Sequence, residues 1–256
     1  MNRFAKLLEK LLFTPSRNAK IIAMAEYFEN TPDPDRGFAL GAITRDLSLN
    51  NLKPTQLRTL TKSRVDPELF DMSYDYVGDM AETISLIWPK HLNHALEKQK
   101  LPQLGQLISA LQTKSKIALQ TYVIELLDCA SVTERWAIIK MVTGGLRVGV
   151  SARLAKTSLA EYSGKDLTEI EKIWHGIAVP YTELFSWLDG LADRPRIAPD
   201  QIFHPLMLSN PIDAQHDFDC LNPVDYEAEW KWDGIRVQLL LNAFAISETA
   251  GKNPEK

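Results

Sequence analysis

The sequence predicts a mainly α-helical protein, in which an all-helical N-terminal domain precedes the incomplete start of an α+β domain. Apolar residues recur at helical spacing through most of the chain, between Ser, Pro and Gly residues that begin and end helices. Prolines and charges are concentrated at 193–200, which is typical of a linker. Near the C-terminus, at 226–239, apolar and polar residues alternate with the period of a β-strand. We therefore place a helical domain at 1–195 and the second domain at 196–256.

The helical pattern is clearest near the N-terminus. Thr14-Pro15 ends the first predicted helix, and Ser16 is placed to cap the second. A capping box at Ser131-Val-Thr-Glu134 begins a later helix, which is predicted to end at the glycine C-cap Gly144-Gly145. The apolar positions of the first helix are Phe4, Leu7, Leu8, Leu11 and Leu12, and those of the second are Ile21, Ile22, Ala25 and Phe28. The remaining predicted helices are 36–47, 54–62, 77–88, 103–111, 119–127, 152–161, 166–176 and 180–191.

Composition limits the function classes. Of 256 residues, 45% are hydrophobic, and the net charge of −4 excludes a uniformly basic nucleic-acid coat but allows a local basic surface. Two cysteines indicate a reducing cytoplasm. The cysteines do not have the spacing of a metal site. His91-x-x-His94 could share one helical face, but no other Cys or His lies nearby in the sequence, so we expect no metal site. No apolar run reaches the ~18 residues of a membrane span, and we expect a cytoplasmic protein without membrane contact.

Glycines and cations are concentrated in Thr143-Gly-Gly-Leu-Arg147-Val-Gly149-Val-Ser151-Ala-Arg153. From Arg135 to Lys156 there are five basic residues and no acidic one. Glycine lets a backbone approach another surface closely, and Ser151 can cap a helix whose N-terminus attracts an anion. The segment favours a sequence-independent phosphate contact. The alternative is an ordinary turn between helices.

A second basic stretch lies at 45–64. It has two interpretations, a phosphate-facing surface or a solvated helix face. Its charged residues are Arg45, Lys53, Arg58, Lys62 and Arg64, with Asp46 as the single acid.

The alternating segment at 226–239 predicts a β-hairpin. Asp233-Gly234 is a strong two-residue turn, because Gly takes positive φ without steric cost. With that turn, Glu229, Lys231 and Arg236 project from the same side. On spacing alone, the alternative is an edge hairpin with a solvated charged face.

Two motifs carry a resemblance to a known family. Glu229-Trp-Lys231-Trp-Asp233-Gly234-Ile-Arg236 resembles nucleotidyltransferase motif I, Lys-x-Asp-Gly-x-Arg preceded by Glu. This is the signature of ATP-dependent DNA ligases, here of the bacterial type, and it is shared by RNA ligases and mRNA capping enzymes. Gly144-Gly-Leu-Arg-Val-Gly149 resembles the Gly-x-Leu-Arg-x-Gly stretch in the DNA-binding domain of the DNA ligases, which argues against the other two classes. The DNA contacts that this resemblance implies are Gly145, Arg147, Gly149 and Arg153.

The resemblance also implies a reaction. The amine of Lys231 would attack the α-phosphate of ATP, with Mg²⁺ present, and form a lysine-AMP intermediate. AMP would pass to the 5′-phosphate of a nick in double-stranded DNA, where the 3′-hydroxyl displaces it. Glu229 would accept a hydrogen bond from adenine, Arg236 would contact the nucleotide and the nick, and Asp233 and Gly234 complete the ATP-binding motif. The implied protein is a monomer that acts in DNA replication, repair and recombination.

The sequence departs from the family after motif I. Only 20 residues follow Arg236, and they do not resemble the next strand and loop of an adenylation domain. We therefore expect a truncated ligase. The alternative is a catalytically inactive duplex-DNA-binding fragment, which predicts salt-dependent DNA binding without AMP transfer.

Overall fold

The regular elements of the structure, a computed structural model, are helical throughout the part of the chain that it describes. Those residues are 1–49, 52–89, 100–198, 212–213, 216–219, 221–227 and 229–230. Twelve α-helices are described, and a short 3-10 turn follows at Pro223–Asp225. The helices are α1 (Asn2–Phe13), α2 (Arg17–Asn30), α3 (Asp35–Thr44), α4 (Pro54–Lys62), α5 (Pro67–Val77), α6 (Met80–Ile87), α7 (Leu104–Thr113), α8 (Lys116–Cys129), α9 (Val132–Val142), α10 (Ala152–Ser163), α11 (Leu167–Trp174) and α12 (Thr182–Leu188).

The predicted fold class is confirmed for the helical domain. The chain divides into two units, one formed by 1–170 with 177–195 and the other by 171–176 with 196–256. Assignment of 1–195 to DNA binding and of 196–256 to an adenylation domain stays a prediction. Most of the predicted hairpin lies outside the described residues, and those of it that are described, 226–227 and 229–230, are not in a strand.

The predicted helix caps are confirmed at atomic detail. The hydroxyls of Ser16, Ser131 and Ser151 each accept a hydrogen bond from the third residue of the following helix. Helix α9 ends in a Schellman motif, in which Gly144 N–H donates to the Met141 carbonyl and Gly145 N–H donates to the Lys140 carbonyl. Gly144 has φ of +69° there, a conformation that favours glycine.

Two local predictions differ from the structure. Helix α5 was not predicted, although Asp66 caps it and Pro67 occupies its first position, because its outward face is unusually apolar and hides the helical pattern. Leu69, Met72 and Tyr76 are all exposed there. Leu12, predicted to lie on the apolar stripe of α1, is 44% exposed, and Ile22, predicted to lie on that of α2, is 51% exposed. The buried face of that helix runs through Lys20, Met24, Tyr27 and Phe28 instead.

The core of the first unit is built around the two N-terminal helices. Helix α1 packs against both α2 and α9, and α10 lies along α2. Phe28 is the aromatic centre of this packing, since its ring contacts those of Tyr27, Tyr162 and Phe185. Burial of such large side chains supplies most of the free energy that stabilises a helical domain.

Helix α3 is tied to Asp189, the residue that follows α12. The Arg36 guanidinium pairs with Asp33 and Asp189 at 2.7 and 2.6 Å, and it also donates to the Tyr162 hydroxyl. Burial by itself would raise the pKa of Asp189, but hydrogen bonds from Arg36 and Tyr162 outweigh burial and hold that pKa below its ordinary value. The buried guanidinium is therefore charge-compensated.

Two glycines of α3 allow it to lie close to residues 179–180, which precede α12. A Cβ at Gly37 would lie 1.5 Å from the carbonyl oxygen of Pro180, and one at Gly41 would lie 2.9 Å from a methyl carbon of Val179. A side chain at Gly37 therefore cannot be accommodated unless two backbone segments separate.

The second unit is described only in short pieces. A Cβ on Gly176 would lie 2.3 Å from the side chain of Ile197, so these two residues are in close contact. The 3-10 turn at Pro223–Asp225 is capped by Asn222, whose side chain accepts from Val224 N–H. Of the helices described in either unit, none has both the length and the apolar character that crossing a membrane requires.

We expect Gly37→Ala to destabilise the protein by more than about 3 kcal/mol, because overpacking against backbone cannot be relieved by a rotamer change. Urea unfolding followed by far-UV circular dichroism measures the loss. The matched control is Gly78→Ala, where φ is +75° but no atom lies within 4 Å of the added Cβ. That control is expected to cost only about 1 kcal/mol of backbone strain. Equal effects of the two substitutions would contradict the packing argument.

Candidate nucleic-acid interface

In the segment between α9 and α10, one exposed arginine lies between two buried apolar residues. Leu146 and Val148 are buried, 7% and 4% exposed, while Arg147 between them is exposed. The alternation follows from the extended backbone after the Schellman motif, since successive side chains then point to opposite sides. The segment 143–151, which we call the glycine loop, therefore holds the Arg147 guanidinium in solvent on a well-packed base.

The glycine loop forms one wall of an open groove of about 730 Å³. The opposite wall comes from the start of α2 and the end of α3. Five of the lining residues are cationic and, among the described residues, no carboxylate lines the groove. Its cations are Arg17, Lys20, Arg45, Arg147 and Arg153.

Local structure explains why these cations meet. Arg17 is the first residue of α2, and Arg153 is the second of α10, so both lie at capped helix N-termini. Arg45 ends α3 in the left-handed conformation, with φ of +66°. The exposed side chains of Arg17, Arg45, Arg147 and Arg153 and the partial positive charge of two helix N-termini together favour an anion.

Asp46, which follows Arg45 in the sequence, makes hydrogen bonds to residues that do not line the groove. Its Oδ2 accepts hydrogen bonds from the hydroxyls of Thr44 and Tyr181, both at 2.7 Å. Burial, together with the Asp46 carboxylate, raises the pKa of Tyr181, so the phenol remains a protonated donor. Asp46 thus fixes the end of α3 to the residue before α12.

Lys20 supports the glycine loop through hydrogen bonds to its backbone. It is 8% exposed, and its Nζ donates to the carbonyl oxygens of Val148 at 2.9 Å and Gly149 at 3.1 Å. Sequence reasoning missed this residue. The available signal was its position four residues before Met24 on the buried face of α2, where a lysine requires polar partners.

The two loop glycines predicted to contact DNA differ in their surroundings. A Cβ at Gly149, where φ is +65°, would lie 2.6 Å from Lys20 Nζ, so this glycine is required by the fold. A Cβ at Gly145 would meet only the Thr143 hydroxyl oxygen at 3.4 Å and a Lys140 carbon at 3.8 Å, which are ordinary contacts. The fold therefore gives no steric reason for glycine at 145.

The basic stretch at 45–64 divides between two roles. Arg45 lines the groove. Asp71 pairs with Arg58 at 3.3 Å and with Lys62 at 2.5 Å, and Asp128 pairs with Arg64 at 3.5 Å. Arg58 also lies over the rings of Phe70 and Tyr74. The Asp71 pairs join α4 to α5, and the Asp128 pair joins Arg64, which follows α4, to α8. Lys53 is exposed, so neither a phosphate-facing surface nor a solvated face describes the whole stretch.

The structure says little about the predicted ATP site. Glu229 is exposed, while Lys231, Asp233, Gly234 and Arg236 lie outside the described residues. Within the described ranges, no three His, Cys, Asp or Glu side chains come together in a way that could hold a metal ion. We therefore assign no ligand for Mg²⁺.

Comparison with known families identifies the helical domain. A family model described as DNA ligase N terminus matches residues 1–160, which is more than half of the chain and includes every residue that lines the groove. The chain therefore belongs to the ATP-dependent DNA ligase family, to which the two motifs are similar. No curated protein sequence matches the chain.

We expect Gly145→Ala and Gly149→Ala to separate folding from DNA binding. Gly145→Ala should leave the unfolding temperature unchanged and weaken binding to nicked duplex, because the added methyl group would only obstruct an approaching DNA backbone. Gly149→Ala should lower both the unfolding temperature and the affinity for nicked duplex, through its backbone strain and its contact with Lys20. Thermal unfolding and fluorescence anisotropy with labelled duplex measure the two effects. Unchanged DNA binding by Gly145→Ala would argue against close approach at this glycine.

Proposed function

We propose that the cationic groove binds the phosphate backbone of double-stranded DNA, as the DNA-holding part of a ligase. The observation that carries this proposal is the convergence of five cations, without a carboxylate among the described lining residues, on a protein whose net charge is −4. Arginine suits this role because its planar guanidinium can form two parallel hydrogen bonds with one phosphate.

Binding of this kind does not depend on base sequence. The groove offers guanidinium groups and helix N-termini, which recognise phosphate oxygens, and such contacts position a duplex without reading its bases. A ligase must act on nicks in any sequence, so phosphate recognition fits the task. Of the contacts that the resemblance implied, Arg147, Gly149 and Arg153 line the groove and Gly145 does not, and the groove adds Arg17 and Arg45.

We further propose that the chain belongs to an enzyme that seals nicks through a lysine-AMP intermediate. Lys231 Nζ attacks the α-phosphorus of ATP, the bond to pyrophosphate breaks, and the amine loses its proton. By the resemblance, Glu229 and Arg236 would orient the nucleotide, Asp233 and Gly234 would complete the ATP-binding motif, and Mg²⁺ would neutralise phosphate charge. Support for this chemistry comes from motif I and from membership of the family.

We expect Arg147→Ala to weaken binding to nicked duplex about tenfold, since one charge-assisted hydrogen bond is worth roughly 1.5 kcal/mol. The slope of log K against log salt should decrease by about 0.9, the value for one phosphate contact in duplex DNA. Lys62→Met is the control, because Lys62 pairs with Asp71 and should leave the slope unchanged. Equal slopes for Arg147→Ala and the wild-type protein would remove Arg147 from the interface.

A separate experiment tests the chemistry. The 256-residue chain is incubated with Mg²⁺ and α-labelled ATP, and label on the protein is compared with that on Lys231→Ala. Label that disappears in Lys231→Ala supports the adenylation step. If the wild-type chain takes up no label but binds nicked duplex in a salt-dependent manner, the alternative of a catalytically inactive DNA-binding fragment is favoured.

A further inference from the structure

Lys20 differs from the other cations of the groove, because it is buried. It is 8% exposed, whereas the four arginines are exposed. The ammonium group has three N–H donors, of which two are used by the Val148 and Gly149 carbonyls. Among the described residues, no carboxylate pairs with Lys20, in contrast to Lys10, Lys62 and Lys140, which each have one.

This arrangement is unusual for a purely structural lysine. Burial of an ammonium group without a counter-charge is unfavourable, and two neutral carbonyl groups compensate it only in part. A neutral donor such as glutamine would satisfy the same carbonyl oxygens without that cost. The structure thus keeps a buried positive charge in the lining of a groove that four arginines also line.

We propose that the Lys20 ammonium is itself a phosphate-binding group, which donates its third N–H to a backbone phosphate of bound duplex DNA. The phosphate supplies the negative charge that the described part of the protein does not. The carbonyls of Val148 and Gly149 fix the ammonium beneath the glycine loop, so the phosphate that Lys20 binds lies beside Arg147. This inference rests on the proposed function, because it assumes that the groove holds DNA.

Gly149 shows how closely the glycine loop packs against this ammonium group. A Cβ at this position would lie 2.6 Å from Lys20 Nζ, closer than carbon and nitrogen can approach. The glycine therefore leaves the space that the ammonium occupies. A flexible lysine could move aside at the surface, but this one is held by two hydrogen bonds and buried, so the loop and the charge are matched to each other.

The test compares Lys20→Met with the wild-type chain in binding to nicked duplex over a range of salt concentrations. We expect affinity to fall about tenfold and the log–log salt slope to decrease by about 0.9, as for loss of one phosphate contact. Lys62→Met makes the same chemical change at a lysine that is paired with Asp71, and it should change neither quantity. The unfolding temperature of free Lys20→Met should change little, because lost hydrogen bonds and relief of buried charge oppose each other.

Each outcome of this comparison supports or overturns the proposed role of Lys20 or the proposed function. Weaker binding with an unchanged slope would mean that Lys20 only supports the loop, and unchanged binding would mean that it has no role; both overturn the inference while leaving the proposed function intact. Absence of binding by the wild-type chain would overturn the proposed function itself. If Lys20→Met does not fold, Lys20→Gln retains a donor for the two carbonyls and is judged by the same slope. If neither variant folds, the side-chain ¹⁵N signal of Lys20 in the wild-type chain is followed as nicked duplex is added, and no change in it overturns the inference.

Discussion

The contact between α3 and the segment 179–181 is the constraint on which the geometry of the groove depends. It requires glycine at 37, where the helix touches the Pro180 carbonyl. Near its start, α3 is also tied by Arg36 to Asp189, the residue after α12, and beyond its end Asp46 is bonded to Tyr181, the residue before α12. Because α3 is fixed at both ends, Arg45, the residue that follows it, is held in one defined position in the lining of the groove. The packing of α3 thus determines where one of the cations of the groove lies.

Charge compensation separates the structural cations from those available to a ligand. Arg36 is buried between two carboxylates, so it stabilises the native packing and its charge is already compensated. Arg58 and Lys62 share Asp71 in the same way. In the groove, by contrast, cations lie close together without a described carboxylate, and their mutual repulsion works against stability. An arrangement that is unfavourable for the free protein is expected where a polyanion completes it.

Local signals in the sequence predicted most of the helical domain. Helix caps depend on residues three or four apart, so Ser16, Ser131, Ser151 and Gly144 could be recognised without knowing the fold. The interpretation of the 45–64 stretch could not be settled in that way, because Asp71 and Asp128 come from other helices. Lys20 was missed for the same reason, since its carbonyl partners lie 128 and 129 residues away. Sequence patterns predict which residues begin and end a helix, but only tertiary packing decides which charges remain uncompensated.

A rigid glycine loop would favour the function that we propose. In that function each guanidinium meets a phosphate whose position is set by duplex geometry, so a mobile loop would lose conformational entropy on binding. Leu146 and Val148 anchor the glycine loop in the core, the Schellman motif fixes its start, and Ser151 caps its end. Lys20 fixes its middle, and it does so with a charged group where a neutral donor would suffice for the loop alone. With Lys20 as the phosphate-binding group that we propose, one side chain would provide both the rigidity of the loop and affinity for DNA.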